Sequence, residues 1–337
     1  MPVDPYILLL LGTVGLAALL PARGTAADVA SGASTAAIAF LFFLYGARLS
    51  THEALAGLRH WRLHVTVLAC TFVVFPLLGL AVRGLVPVFL THNLYTGLLF
   101  LTLVPSTIQS SIAFTSIARG NVPAAICAGS FSSLAGIVIT PLLAAALLGN
   151  SGGGFSADSL VKIVLQLLVP FVAGQVLRPW IGSFIARHKK VLGLVDRGSI
   201  LLVVYTAFSE GMVQGIWHQV SPLRLGGLLV VEAALLAVML TLTWYGGRAL
   251  GFDREDRIAI QFAGSKKSLA SGLPMASVLF GAHASLAVLP LMLFHQMQLM
   301  VCAVIAKRRS RDPERPEVSP GPAAGSRTAV GTGTRSG

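Results

Sequence analysis

Two adjacent lysines, Lys266 and Lys267, interrupt an otherwise apolar stretch, QFAGSKKSLASGLPMASVLF, at residues 261–280. Inside a lipid bilayer an ammonium group is costly unless it meets carbonyl oxygens, an acid or an anion, so such a residue marks a functional site by default. Ser265, Ser268 and Ser271 flank the pair. A second polar island, VPSTIQSS at residues 104–111, contributes Ser106, Thr107, Gln109, Ser110 and Ser111. Hydroxyls, amides and freed backbone groups are what a membrane protein has for holding an ion or the polar end of a solute; hydroxyl clusters serve equally as interhelical hydrogen bonds. Glu210, in YTAFSEG, and Glu232 each read either as an interfacial residue or, beside a buried lysine, as a proton-relay group.

Span length separates two readings of the lysines. Taken alone, GSKKS is a short loop whose lysines snorkel to the headgroups. Residues 258–263 and 269–280 are each shorter than the roughly 20 residues that cross a bilayer, but joined they reach that length, which puts the polar break near mid-depth. An ammonium there can lie against half-helix C-terminal carbonyls, an acidic partner or an anionic substrate. The island at 104–111 repeats the design, with one apolar stretch at 95–104 and another short one after it.

The elements that must position these residues are membrane helices. The 337-residue chain is 55% hydrophobic and 11% charged, where a soluble domain carries about 25% charged residues, and this leaves no room for a large soluble domain. Apolar runs at 6–20, 33–49, 63–82, 95–118, 121–148, 158–178, 197–213, 223–249, 258–280 and 284–306 predict ten helices. Turn signals separate them at Pro21, Pro87, NSGGG (150–154), Pro179 and Pro222.

The net charge of +12 does not point to nucleic acid, because the basic residues sit in short connectors and the tail without interleaved aromatics. Counted from a cytoplasmic N-terminus, inner connectors hold Arg48, Arg59, Arg62, Arg119, Arg178, Arg187, Lys189 and Lys190 among others, and outer ones only Arg23, Arg83 and Arg224. That bias predicts both termini in the cytoplasm. Residues 307–337, rich in Arg, Pro, Gly, Ser and Thr, predict a disordered basic cytoplasmic tail. The first run resembles a signal peptide ending at Ala26 and Ala27, but no Lys or Arg precedes it, so an uncleaved first helix is expected. Cys70, Cys127 and Cys302, like His64, His92, His283 and His295, read as packing or interfacial residues. With no HExxH, nucleophile elbow or metal-spaced cluster, neither an enzyme nor a cofactor is expected.

Five segments precede NSGGG and five follow it, and the fourth of each set is interrupted. This is the inverted-repeat plan of secondary transporters, with repeat one at about 6–148 and repeat two at about 158–306 in a single transporter domain, 1–306. Broken helices at corresponding positions free backbone N–H and C=O groups where a substrate and its coupling ion can be held.

The segments at 104–143, 205–211 and 264–280 resemble the bile acid:sodium symporter superfamily, and within it a divergent bacterial branch related to the seventh human member. The resemblance spans roughly residues 5–306. It implies ten helices divided into a panel and a core, the core containing crossed, broken fourth and ninth helices. It also implies organic-anion uptake coupled to sodium. By position, Ser110 and Ser111 stand where a Ser-Asn pair contributes to a sodium site. Phe262 stands in place of a sodium-binding Glu and Lys266-Lys267 in place of Gln-Asn, while small residues near Ala125 and Gly129 replace hydroxyl ligands. These departures carry the hypothesis that a lysine ammonium occupies the place of the bound sodium.

The expectation is therefore an all-α polytopic protein of a bacterial inner membrane, surrounded by lipid, that moves a small organic anion by alternating access with sodium or a proton as coupling ion. The alternative is a non-transporting membrane sensor that keeps the fold.

Overall fold

The computed structural model describes residues 5–48, 60–148, 157–213, 215, 221–280 and 284–311. The NSGGG connector, His283 and residues 312–337 of the tail lie outside them. Among the described residues there is no strand. The helices are α1 (Pro5–Leu19), α2 (Thr25–Arg48), α3 (Trp61–Leu85), α4 (His92–Leu103), α5 (Gln109–Ile117), α6 (Val122–Leu148), α7 (Ala157–Arg187) and α8 (Lys189–Val213). They continue with α9 (Pro222–Ala249), α10 (Arg254–Gly264), α11 (Leu269–Phe280) and α12 (Ala284–Arg309).

Seven of them, α2, α3, α6, α7, α8, α9 and α12, contain a section long and apolar enough to cross a membrane. The remaining apolar sections are the 15-residue α1 and the two short pairs α4/α5 and α10/α11. The outward faces are apolar too, with Leu9, Leu19, Val176, Trp180 and Val230 all exposed. Such a surface is soluble in lipid and not in water.

Helix starts follow local chemistry. Thr91 Oγ1 accepts the Leu94 N–H at 3.2 Å ahead of α4, and Asp253 Oδ1 accepts the Asp256 N–H at 2.8 Å ahead of α10. Pro222 occupies the first turn of α9, where a missing N–H costs nothing.

Three sequence expectations need correction. Pro179 does not end a helix: α7 runs through it to Arg187, because its neighbours keep a helical pattern and a membrane helix tolerates proline. α2 begins at Thr25 and not at residue 33, since the alanine-rich TAADVASGAS has enough helix propensity to extend the apolar run. The last helix continues through Lys307, Arg308 and Arg309, whose order has a packing cause. The Arg309 guanidinium lies 3.2 Å from the centre of the Trp244 ring, and Arg254 Nη2 donates to the Arg309 carbonyl at 2.7 Å.

One group of helices, α1, α2, α7 and α8, packs mainly on itself. α2 and α7 meet backbone to backbone: a Cβ on Gly46 would strike the Phe171 carbonyl and one on Gly174 the Phe43 carbonyl. Leu10 and Ala17 of α1 are buried, and Tyr205 of α8 donates to the Leu20 carbonyl at 2.8 Å. The other helices surround the two short pairs, with α4 on α12, α9 on α10 and α6 beneath α5.

Candidate functional site

The two non-helical breaks, 104–108 and 265–268, meet inside the protein. Ser268 N donates to the Pro105 carbonyl at 2.8 Å. Each half-helix ends in carbonyls that its own chain cannot satisfy, and the opposite break supplies the donors. At the end of α10, Ser106 Oγ donates to the Ala263 carbonyl, and Ser111 Oγ, 2.5 Å from the Thr107 carbonyl of its own segment, also lies 2.9 Å from the Phe262 carbonyl. At the end of α4, the Lys267 ammonium donates to the carbonyls of Thr102 at 2.6 Å and Val104 at 2.9 Å.

Lys267 has a third partner. Its Nζ donates to the Thr71 carbonyl at 2.9 Å and stands 4.4 Å from the centre of the Phe75 ring. That carbonyl is free because of a local irregularity in α3. Residues Cys70–Val74 are wound as a π-helix, in which the Phe75 N–H reaches back five residues to Cys70. The next bond in this register would need an N–H at position 76, and Pro76 has none. Three carbonyls thus match the three N–H donors of an ammonium, with an aromatic face on a fourth side.

Lys266, equally buried, is differently placed. Its Nζ reaches a single hydrogen-bond partner, Ser110 Oγ at 3.2 Å, and lies 4.6 and 5.7 Å from the ring centres of Phe114 and Phe262. Neither lysine has an acid within ion-pair distance among the described residues.

The backbone between them is held by Gln298 of α12. Its Oε1 accepts the Lys267 N–H and its Nε2 donates to the Lys267 carbonyl, both at 2.8 Å. The first break is held by α6: Ser132 Oγ accepts the Ser106 N–H at 2.9 Å, and Thr140 Oγ1 donates to the Leu103 carbonyl at 2.8 Å. A side chain at Gly136 would come within 2.7 Å of Pro105, so glycine is what lets this break seat against α6.

Of the residues singled out in the sequence, Ser106, Thr107, Ser111, Ser265, Lys266, Lys267 and Ser268 are buried at this crossing, and Ser110 and Ser271 are half-buried beside it. Ser265 and Ser271 bond within their own segment, Ser265 Oγ to the Gln261 carbonyl at 2.5 Å and Ser271 N to Ser268 Oγ at 3.2 Å. Gln109 is exposed. Glu210 is half-buried in the last turn of α8 and is not among the hydrogen-bond partners of either lysine. Residue types did not identify the carbonyls of Thr71, Thr102 and Val104 or the amide of Gln298. Pro76, inside an apolar run, was the available signal for the first.

A polytopic helical bundle with apolar outer faces and a buried polar crossing of two broken helices defines a multi-pass membrane protein. The chain belongs to the SBF-like CPA transporter family, whose profile matches residues 4–311. It is similar to the candidate symporter YfeH of Escherichia coli, 50% identical over 312 residues, covering 92% of this chain and 94% of that protein. It is 57% identical over 310 residues to an uncharacterized protein of Pseudomonas aeruginosa, covering 91% of this chain and 93% of the relative. Sodium/bile acid cotransporter 7 of Rattus norvegicus is 30% identical over 273 residues, 80% of each chain. The family and its named relatives are transporters, not enzymes, and they imply a small solute as substrate.

Proposed function

We propose that the chain is a secondary transporter of a small organic anion, working by alternating access at the crossing of α4/α5 with α10/α11. In this reading, each short pair counts as one span. Ten spans then form two inverted repeats, about 6–148 and 158–306, in a bacterial inner membrane with both termini cytoplasmic. The helices α1, α2, α7 and α8 serve as a panel against which the remaining core moves. The self-contained packing of those four helices supports the division, and the reciprocal capping of the two breaks supports the repeat.

The observation that carries the reading is the three-carbonyl cradle of Lys267. Backbone carbonyls at a broken helix are what transporters offer a coupling cation. Here the lysine takes that place, so transport does not require sodium. Lys266, with two of its three donors unclaimed and rings on its flanks, is the counter-charge for the anion. The rat relative is named for sodium and bile acid, and an organic anion is the part of that pair that suits a site already holding its own cation.

Proteoliposomes containing the full chain, tested with taurocholate, succinate and benzenesulfonate, provide the check. Uptake of at least one anion in sodium-free buffer is expected, and its loss in Lys266→Gln. Strict sodium dependence that persists in Lys267→Gln overturns the assignment. Binding without turnover identifies a sensor.

A further inference from the structure

Glu232, in the middle of α9, is fully buried, and neither of its carboxyl oxygens has a hydrogen-bond partner among the described residues. Two of the other acids away from the surface are held, while Glu210 is half-buried in the last turn of α8. Asp256 accepts from Asn121 Nδ2 at 2.7 Å, and Asp196 pairs with Arg48. A carboxylate shut off from bulk solvent and without a protein cation or donor is costly to keep charged, and taking up a proton removes that cost. No described residue uses this side chain as a donor or acceptor, so a proton is the ligand that its surroundings fit.

The position is as informative as the isolation. α9 packs against α10 and α12. The charges of α10, on Arg254, Glu255, Asp256 and Arg257, lie in its first turn, where Arg257 stacks 3.8 Å from the centre of the Trp244 ring. On α12, Lys307, Arg308 and Arg309 lie in the last turn, where Arg309 covers the same indole. Both α9 and α12 run toward that contact. At about 1.5 Å per residue, Glu232 lies about 18 Å along α9 from Trp244, and Gln298 lies about 16–17 Å along α12 from Arg309. Glu232 therefore lies well inside α9, far from these terminal charges. The titratable groups in the middle of α12 are His295, whose Nδ1 is 2.8 Å from Gln298 Nε2, and Cys302 one turn further along. Lys266 and Lys267 follow the end of α10 and turn toward α5 and toward α3 and α4.

We propose that Glu232 is the proton-binding site of the transport cycle, neutral in the closed conformation described here and deprotonated when α9 and its neighbours open to water. The step is the addition of one proton to one carboxylate oxygen, with no other bond made or broken. The proposal rests on the reading of Lys267 as a built-in cation. A site whose cation never leaves cannot supply coupling, and a cycle driven by a gradient needs another group that binds and releases one. Glu232 meets that need without touching the crossing.

Infrared spectroscopy of the full-length protein in nanodiscs tests this without any substrate. The carbonyl stretch of a neutral buried carboxyl is expected in the wild type at neutral pH, fading as the bath is made alkaline and absent at every pH in Glu232→Gln. The amide is close to the neutral acid in shape, so this variant should fold. A band that ignores bath pH identifies a sealed structural acid and overturns the proposal, as does a spectrum unchanged by the substitution. The band should survive in Lys267→Gln. If sodium proves necessary for transport while the band still titrates, the cation reading fails and the proton site stands. For whichever of taurocholate, succinate and benzenesulfonate the wild type carries, Glu232→Gln should lose accumulation driven by a pH gradient and retain exchange of internal for external anion.

Discussion

Lys266 and Lys267 are neighbours in the chain, equally buried, and opposite in circumstance. Lys267 spends all three of its donors on carbonyls at 2.6–2.9 Å, whereas Lys266 touches one hydroxyl at 3.2 Å and two aromatic rings. Burial alone therefore does not separate a lysine whose donors are all taken from one with donors to spare. The number of acceptors does. Breaking a saturated ammonium leaves three carbonyls unpaired; breaking the other leaves a single serine to turn elsewhere.

The largest effect should come from Lys267→Met. Each orphaned buried carbonyl costs about 1–3 kcal/mol, so the melting temperature should fall further than in any other variant named here, with little folded protein recovered. Wild-type melting would remove the distinction between the two lysines. Next in size is a gain. Lys267→Ser shortens the side chain and leaves the cradle open, so added sodium should stabilise this variant and not the wild type. At a sodium concentration about 100 times its dissociation constant the gain is about 2.7 kcal/mol. Equal melting curves for that variant in sodium and in N-methylglucamine would mean that the cradle is fitted to nitrogen alone.

Lys266→Gln should cost less than about 2 kcal/mol in stability while abolishing anion flux. A variant that melts early but still transports would exchange the roles of the two residues. Smallest is Ser110→Ala, which removes the one hydrogen bond of Lys266. A stability change of about 0.5–1.5 kcal/mol and a weakened apparent affinity for the anion, with maximal flux retained, are expected.

The membrane character and all-helical class were legible because lipid leaves a chain few other choices, and hydrophobic content records that directly. Lys266 and Lys267 stood out because a charged residue among leucines and alanines is rare. Their difference was not legible. What separates them is backbone carbonyl geometry set by Pro76, by the end of α4 and by residues as far apart as Thr71 and Val104, and a carbonyl has no letter of its own. Glu232 was visible as a lone acid in an apolar run, but only packing revealed that nothing answers it, while Glu210, similar on paper, ended half-buried in a last turn. Pro179 misled for a related reason, since a breaker in water is tolerated inside a membrane helix.

The pair of hydrogen bonds between the Gln298 side chain and the Lys267 backbone imitates one rung of a β-ladder in a protein whose described residues contain no strand. It also sets an order of assembly. Gln298 belongs to the last described helix, so while the chain is being made the second break has no clamp until α12 has entered the membrane. A ribosome that stalls before residue 284 leaves Lys267 without the amide that holds its backbone, and the nascent protein exposes to quality control a charge that the finished one hides.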